Sequence, residues 1–181
     1  ISVMRIISGR HKGRRLTAPK NLPVRPTTDF AKEGLFNMLH HRFALHEVSV
    51  LDLYSGTGNI AYEFGSRGAL SIVCVDEHAG CCQYIQQTSA QLDLPISVVR
   101  SEVDKFILKH LGHYDVIFAD PPYQFSKEQL NSFIDVVCGG ALLNEAGLFI
   151  LEHTKGHDLS DHPKYSESRK YGGSVFSYFS N

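Results

Sequence analysis

Residues Tyr114-Asp115-Val116-Ile117-Phe118-Ala119 form a short apolar run, rich in β-branched and aromatic side chains, that ends on Asp120-Pro121-Pro122-Tyr123. The run has the length and content of a buried strand. Two successive prolines lack the N–H groups that a strand ladder or a helix interior needs, so the chain has to turn sharply at that point. The turn gathers a carboxylate, prolyl carbonyls and an aromatic ring at one strand end. Hydrogen-bond acceptors beside a stacking surface suit a flat ring with an exocyclic amine, such as a nucleobase drawn out of its helix. A proline-terminated strand with a solvated aspartate would use the same residues, so a second motif has to decide.

That motif lies upstream. Val50-Leu51-Asp52-Leu53-Tyr54 reads as a buried strand and Ser55-Gly56-Thr57-Gly58-Asn59 as a glycine-rich turn, after which Ile60-Ala61-Tyr62-Glu63-Phe64 opens a helical pattern. A second strand, Ser71-Ile72-Val73-Cys74-Val75, ends in Asp76 at the spacing where an acidic residue reaches ribose hydroxyls. Gly56 and Gly58 let a ligand approach the backbone with no Cβ in the way. Gly56-x-Gly58-x-x-Ala61 also satisfies the dinucleotide fingerprint. Asp52 argues against that reading, because a carboxylate beside the loop repels a pyrophosphate and suits a cationic ligand. A cationic cofactor with an adenosine part fits better, and S-adenosyl-L-methionine is such a molecule.

The order of segments predicts an α/β fold with one mostly parallel sheet. Helical periodicity spans residues 28–41, with Thr28 or Asp29 as N-cap. Strands near 49–54, 71–76 and 96–99 alternate with helices at 59–67, 78–92 and 102–109. Beyond the strand ending at Asp120, a helix at 126–137 precedes a buried strand at 147–152. Residues 164–169 and 174–179 flank Gly172-Gly173 as an antiparallel hairpin. Ligands in such sheets bind beyond the carboxyl ends of the strands. Asp52, Asp76, Glu102 and Asp120 all fall at or near those ends.

A net charge of −1 conceals an asymmetry. Residues 1–28 hold seven basic side chains (Arg5, Arg10, Lys12, Arg14, Arg15, Lys20 and Arg25) and no acidic one, whereas the rest of the chain has 11 basic and 19 acidic residues. The pattern predicts a basic N-terminal hairpin, residues 1–27, facing RNA, joined to a catalytic body spanning 28–181. No run of about 18 apolar residues exists to span a membrane. Cys74, Cys81, Cys82 and Cys138 lack metal-ligand spacing and read as reduced thiols of a cytoplasmic protein. The histidines around Asp158 and Asp161 read as a surface cluster, so no metal is expected. Met4 reads as the native start, with Ile1-Ser2-Val3 an extension.

The chain resembles the RsmD-type methyltransferases, which methylate the N2 amine of a guanine in bacterial 16S ribosomal RNA. The resemblance runs through Met4-Arg5-Ile6-Ile7-Ser8-Gly9, His11-Lys12-Gly13-Arg14-Arg15-Leu16, Arg25-Pro26-Thr27-Thr28-Asp29 and Leu35-Phe36-Asn37-Met38-Leu39. It continues through the glycine loop, Ser66-Arg67-Gly68-Ala69 and the Asp-Pro-Pro-Tyr turn. It implies a Rossmann-like class I S-adenosylmethionine-dependent fold with a small N-terminal hairpin. It also implies a monomer acting on 16S RNA, free or within a small-subunit assembly intermediate.

Within that resemblance Asp52 orients the methionine amine beside Gly56 and Gly58, Asp76 holds the ribose, and Glu102 or its neighbour Asp104 meets the adenine. Tyr54 stands where the family more often has Phe and is either a cofactor contact or a packing aromatic. Thr27 and Arg25 lie over the cofactor or substrate channel. Asp120, Pro121, Pro122 and Tyr123 hold the base, and Arg10, Lys12, Arg14, Arg15 and Arg25 meet RNA. The acceptor turn suits any exocyclic amine, so guanine over adenine N6 rests on the resemblance. Amino methylation of another polynucleotide, or a catalytically silent RNA-binding assembly factor, remain the alternatives.

Overall fold

Side chains that alternate between two apolar faces build the sheet. A computed structural model describes residues 2–24 and 27–181. At the N-terminus β1 (Ser2–Arg5) and β2 (Arg15–Ala18) pair antiparallel, with Met4 opposite Leu16. Met4, Ile6, Leu16 and Ala18 point inward and join the main core. The helix α1 (Asp29–Arg42) follows, and the Thr28 hydroxyl caps it by accepting from the Ala31 N–H. A single 3-10 turn at Leu45–Glu47 then leads into the sheet.

The sheet elements are β3 (Ser49–Leu53), α2 (Asn59–Ser66), β4 (Ser71–Asp76), α3 (Ala79–Gln91), β5 (Ile96–Arg100), α4 (Val103–Lys109), β6 (Tyr114–Ala119), α5 (Lys127–Gly139), β7 (Leu143–Thr154), β8 (Tyr165–Tyr171) and β9 (Ser174–Phe179). They lie in the order β5-β4-β3-β6-β7-β9-β8. The first five in that order are parallel; β9 runs antiparallel to both β7 and β8. Val50, Cys74, Val116, Phe118, Leu148 and Ile150 face one core, shared with α1, α2 and the hairpin. Leu51, Val75, Ile117, Ala119, Phe149 and Leu151 face the other, under α4 and α5. Chain direction along the sheet reverses between β3 and β6, which is where an open α/β sheet offers its crevice.

One strand exceeds its sequence expectation. Residues 143–146 extend β7 beyond the expected 147–152, although Asn144-Glu145 has loop-like polarity. The register slips between Tyr114 and Val116, and a Cβ on Gly147 would stand 2.8 Å from the Asn144 carbonyl and 3.0 Å from that of Asp115. Only glycine admits that close backbone approach, so the irregularity sits there.

The hairpin is fastened by a carboxylate. Glu63 on α2 is fully buried and accepts from the Ile7 N–H at 2.8 Å, the Ser8 N–H at 3.1 Å and Arg67 Nε at 2.9 Å. Lys32 Nζ of α1, also fully buried, lies 3.3 Å from Glu63 Oε1, donates to Asn59 Oδ1 at 2.9 Å and reaches the Arg5 carbonyl. Burial lowers the Lys32 pKa, with Glu63 opposing that shift. The Arg67 guanidinium covers the Phe36 ring at 4.7 Å. Replacing Glu63 by Ala strands a buried ammonium and two backbone donors. The expected loss is roughly 3–5 kcal/mol in urea unfolding, with faster proteolysis at residues 9–15; a loss below ~1 kcal/mol would contradict the account.

Candidate active site

The cleft opens at the carboxyl ends of β3, β4, β6 and β7 and has a volume of about 1020 Å³. That is room for a nucleoside-sized cofactor together with a base, at the upper end of ligand pockets of ~300–1,000 Å³. Asp52, Tyr54, Gly56, Asp76, Glu102, Asp120, Pro121, Pro122, Tyr123 and Thr27 all line it. Arg25 lies outside the described residues.

Asp52 carries the most telling electrostatics. It sits within β3, 2 % exposed, and its Oδ2 meets no hydrogen-bond donor among the described residues. Burial, then the charge of Asp76, then that of Glu152, push its pKa well above 3.8. A buried acceptor lacking a donor is an expensive arrangement that a cationic ligand relieves. Asp76, the last residue of β4, is differently placed. Its Oδ2 accepts from the Gly56 N–H at 2.9 Å and its Oδ1 from the His78 N–H at 2.9 Å, which fixes the carboxylate against the glycine loop. Glu102, N-cap of α4, lies at the rim and pairs with Lys105 at 2.9 Å, both side chains exposed.

Two aromatic residues divide the cleft wall. Tyr54 has φ +56°, a left-handed conformation that a tyrosine rarely adopts. Its ring packs edge-on against Phe125 and Phe133 at 6.2 and 5.9 Å, and burial raises its phenol pKa. Tyr54 is thus both cleft lining and packing aromatic. Tyr123, by contrast, is 78 % exposed at the mouth, a ring with little to hold it except a partner. Between them the Asp120 N–H bonds the Leu53 carbonyl at 3.4 Å, and the Phe125 N–H closes the turn on the Pro122 carbonyl at 3.0 Å.

Gly58 departs from the expected role. It has φ +86° at the N-cap of α2, yet it does not line the cleft. A Cβ there would lie 2.7 Å from Tyr62 Cζ, so the glycine is required by packing beneath the loop. Nor does the hairpin tip reach the cleft. Arg10 donates to the carbonyls of Leu92 and Asp93, and His11 N–H to Ser66 Oγ. Those partners immediately precede β5 and β4, at the opposite edge of the sheet. Arg10 therefore sits by the amino ends of β4 and β5, away from the cleft, whereas Arg15 pairs with Arg5 of β1, whose carbonyl meets Lys32. Lys12, Arg14 and Arg15 are solvent-exposed.

Several cleft residues carry no signal in the sequence. Glu152 at the end of β7 is 7 % exposed and accepts from the Thr27 hydroxyl at 3.2 Å. Its neighbour His153 donates Nδ1–H to the Thr154 carbonyl and receives the Ser177 hydroxyl at Nε2; burial lowers its pKa and keeps it neutral. Cys81, pushed up to about 12 by burial, stays a thiol and brings no nucleophile. Near Asp158, His162 pairs with Asp135 and Lys127 with Asp161. No group of three acidic, His or Cys side chains is placed to hold a metal ion among the described residues. No described helix is long and apolar enough to cross a membrane.

The profile of the family described as Conserved hypothetical protein 95 matches residues 4–180. This chain belongs to that family. The resemblance to RsmD-type enzymes is thereby family membership. Ribosomal RNA small subunit methyltransferase D of Escherichia coli is 29% identical over 150 residues, 81% of this chain and 73% of that one. Among solved structures, yhhF of Escherichia coli aligns with a TM-score of 0.84 and 25% identity, over 98% of this chain and 97% of that one. The Thermus thermophilus 16S rRNA N2 G1207 methyltransferase RsmC, solved with AdoMet and guanosine, shares the fold at a TM-score of 0.76 and 18% identity, over 99% of this chain and 50% of that one. The fold is that of class I S-adenosylmethionine-dependent methyltransferases.

Because its folded pKa is raised, Asp52 binds its proton more tightly in the folded chain than in the unfolded one. It therefore weakens the ligand-free fold as pH rises above 3.8, by an amount that grows until the folded pKa is passed. Asp52→Asn should melt higher than the native chain at neutral pH, the gap closing as pH falls toward 3.8. The same variant should bind S-adenosylmethionine roughly 10- to 100-fold more weakly by calorimetry, the worth of one charged hydrogen bond. Unchanged affinity would remove Asp52 from the cofactor site.

Proposed function

We propose that this protein methylates the exocyclic N2 amine of a guanine in 16S ribosomal RNA, using S-adenosylmethionine, as a cytoplasmic monomer acting on a partly assembled small subunit. The observation that carries the reading is the donorless, buried Oδ2 of Asp52 in one cleft with the Asp-Pro-Pro-Tyr turn. One half of the cleft calls for a cationic amine and the other for a hydrogen-bonding planar amine. The family, and the name of the Escherichia coli relative, support ribosomal RNA of the small subunit as the target.

The cofactor fits these residues. Asp52 would take its ammonium, Gly56 would leave room for its backbone approach, Asp76 would hold its ribose, and Glu102 or Asp104 would meet its adenine. When bound, it supplies a methyl group on a positively charged sulfur. The chain does the rest by position. A guanine N2 amine is a poor nucleophile because its lone pair is delocalised into the ring. Asp120 and the Pro121 carbonyl accept its two N–H bonds, drawing the nitrogen toward tetrahedral geometry and freeing the lone pair. Pro122 rigidifies the turn, and Tyr123 stacks on the extruded base and limits its tilt. Alignment of this kind can supply ~7–11 kcal/mol of the barrier. Asp120 or water takes the proton afterwards, so no strong base is needed beforehand.

The basic N-terminal segment, residues 1–27, would hold flanking RNA through phosphates. Lys12, Arg14 and Arg15 are the exposed candidates; Arg10 is occupied by backbone carbonyls. Binding through them is salt dependent.

Asp120→Ala tests the assignment of the turn. Turnover should fall by roughly 10²-fold or more, as for a misplaced reacting group, while cofactor affinity stays at the native value. Parallel loss of both would sink the division of the cleft into a cofactor half and a base half.

A further inference from the structure

Glu152 and Asp120 stand at the same level of neighbouring strands. Ala119 of β6 pairs with Leu151 of β7, so the next residue on each strand lies beside the other, at the ~4.8 Å spacing of adjacent strands. Phe118 and Ile150, two residues earlier, both face the core on the side of α1 and α2. Strand alternation therefore sends Asp120 and Glu152 to that same side, and both line the cleft. Glu152 is buried, on the side of Asp120 away from the cofactor strands β3 and β4. The Thr27 hydroxyl holds its Oε2 at 3.2 Å. An exocyclic amine has only two hydrogens, and Asp120 with the Pro121 carbonyl accounts for both. A further carboxylate beside them answers to a different donor on the base.

We propose that Glu152 selects guanine by accepting its N1–H, with Thr27 fixing the carboxylate. The inference rests on the guanine-N2 reading above. Guanine presents N1–H and the N2 amine side by side as donors along one edge, which matches two adjacent acceptors. Adenine held by its amine would turn the lone pair of N1 toward Glu152, leaving two acceptors opposed and neither satisfied. The cleft thus distinguishes the two amino-bearing bases, which the Asp-Pro-Pro-Tyr turn alone does not. Glu152 is a specificity-determining residue here, and no proton has to leave N1 for it to act.

The test replaces the methylated guanine by 2-aminopurine, which keeps the 2-amino group and carries an acceptor at N1. RNA of both kinds is presented in the form that the native chain methylates, and kcat/KM is compared for the native chain and Glu152→Gln. The native chain should prefer guanine roughly 10- to 100-fold, the worth of a charged hydrogen bond. Glu152→Gln, whose amide can donate to the N1 acceptor, should narrow or invert that preference with cofactor affinity unchanged. Thr27→Val should narrow it to a lesser degree, and serves if Glu152→Gln does not fold. Equal use of both bases by the native chain, or a preference that neither variant alters, overturns the assignment and leaves guanine methylation standing. Loss of cofactor affinity in step with turnover in Glu152→Gln also overturns it, by moving Glu152 to the cofactor. A native chain that leaves guanine RNA unmethylated removes the reading beneath it.

Discussion

The buried carboxylate of Glu63 governs where the first third of the chain sits. It takes two N–H groups from the loop after β1, the ammonium of Lys32 from α1 and the guanidinium of Arg67 from its own helix. A buried ion pair of this kind adds little net stability, because desolvating both charges offsets most of their attraction. It is intolerant of displacement, however, since any shift strands a charge away from water. Lys32 passes the constraint to Asn59, whose Nδ2 holds the Thr27 carbonyl at 3.1 Å, and the Thr27 hydroxyl meets Glu152 in the cleft. A continuous polar chain therefore runs from the basic hairpin to the catalytic cleft, although the hairpin tip lies at the far edge of the sheet.

That geometry gives the cleft its two halves. On the side of β3 and β4, Asp52 is strained by burial and the nearby charges of Asp76 and Glu152, while Asp76 itself is held by backbone N–H groups. The contrast suits two tasks: a carboxylate that gains by meeting a cation, and one already set to receive hydroxyls. On the side of β6 and β7, Asp120, Pro121 and Glu152 line the cleft, and Tyr123 is exposed at its mouth. Each residue performs what its surroundings make cheapest.

Much of this was legible in the sequence because it depends on local rules. Strand and helix periods, the Thr28 cap, the Gly172 turn and the carboxylates at or near strand ends all follow from residue type and spacing. What escaped depends on partners far along the chain. Glu63 looks like any polar residue of a surface helix until Ile7 and Ser8, more than 50 positions away, donate to it. Glu152 looks like the polar end of a strand until sheet order sets it beside Asp120. Gly58 fits a ligand-cradling fingerprint, yet the ring of Tyr62 claims the space a Cβ would need. The charge count marks residues 1–28 as basic but carries no signal for where the tip of the hairpin packs, which Arg10 sets by donating to the carbonyls of Leu92 and Asp93.

Nucleoside mass spectrometry of unmodified 16S RNA, free and in partly assembled small subunits, after incubation with this protein and S-adenosylmethionine, tests the central claim most directly. The account predicts new N2-methylguanosine, with more formed in the assembled particle than on free RNA. A methylated adenine, or no methylated base on either substrate despite measurable cofactor binding, would contradict it.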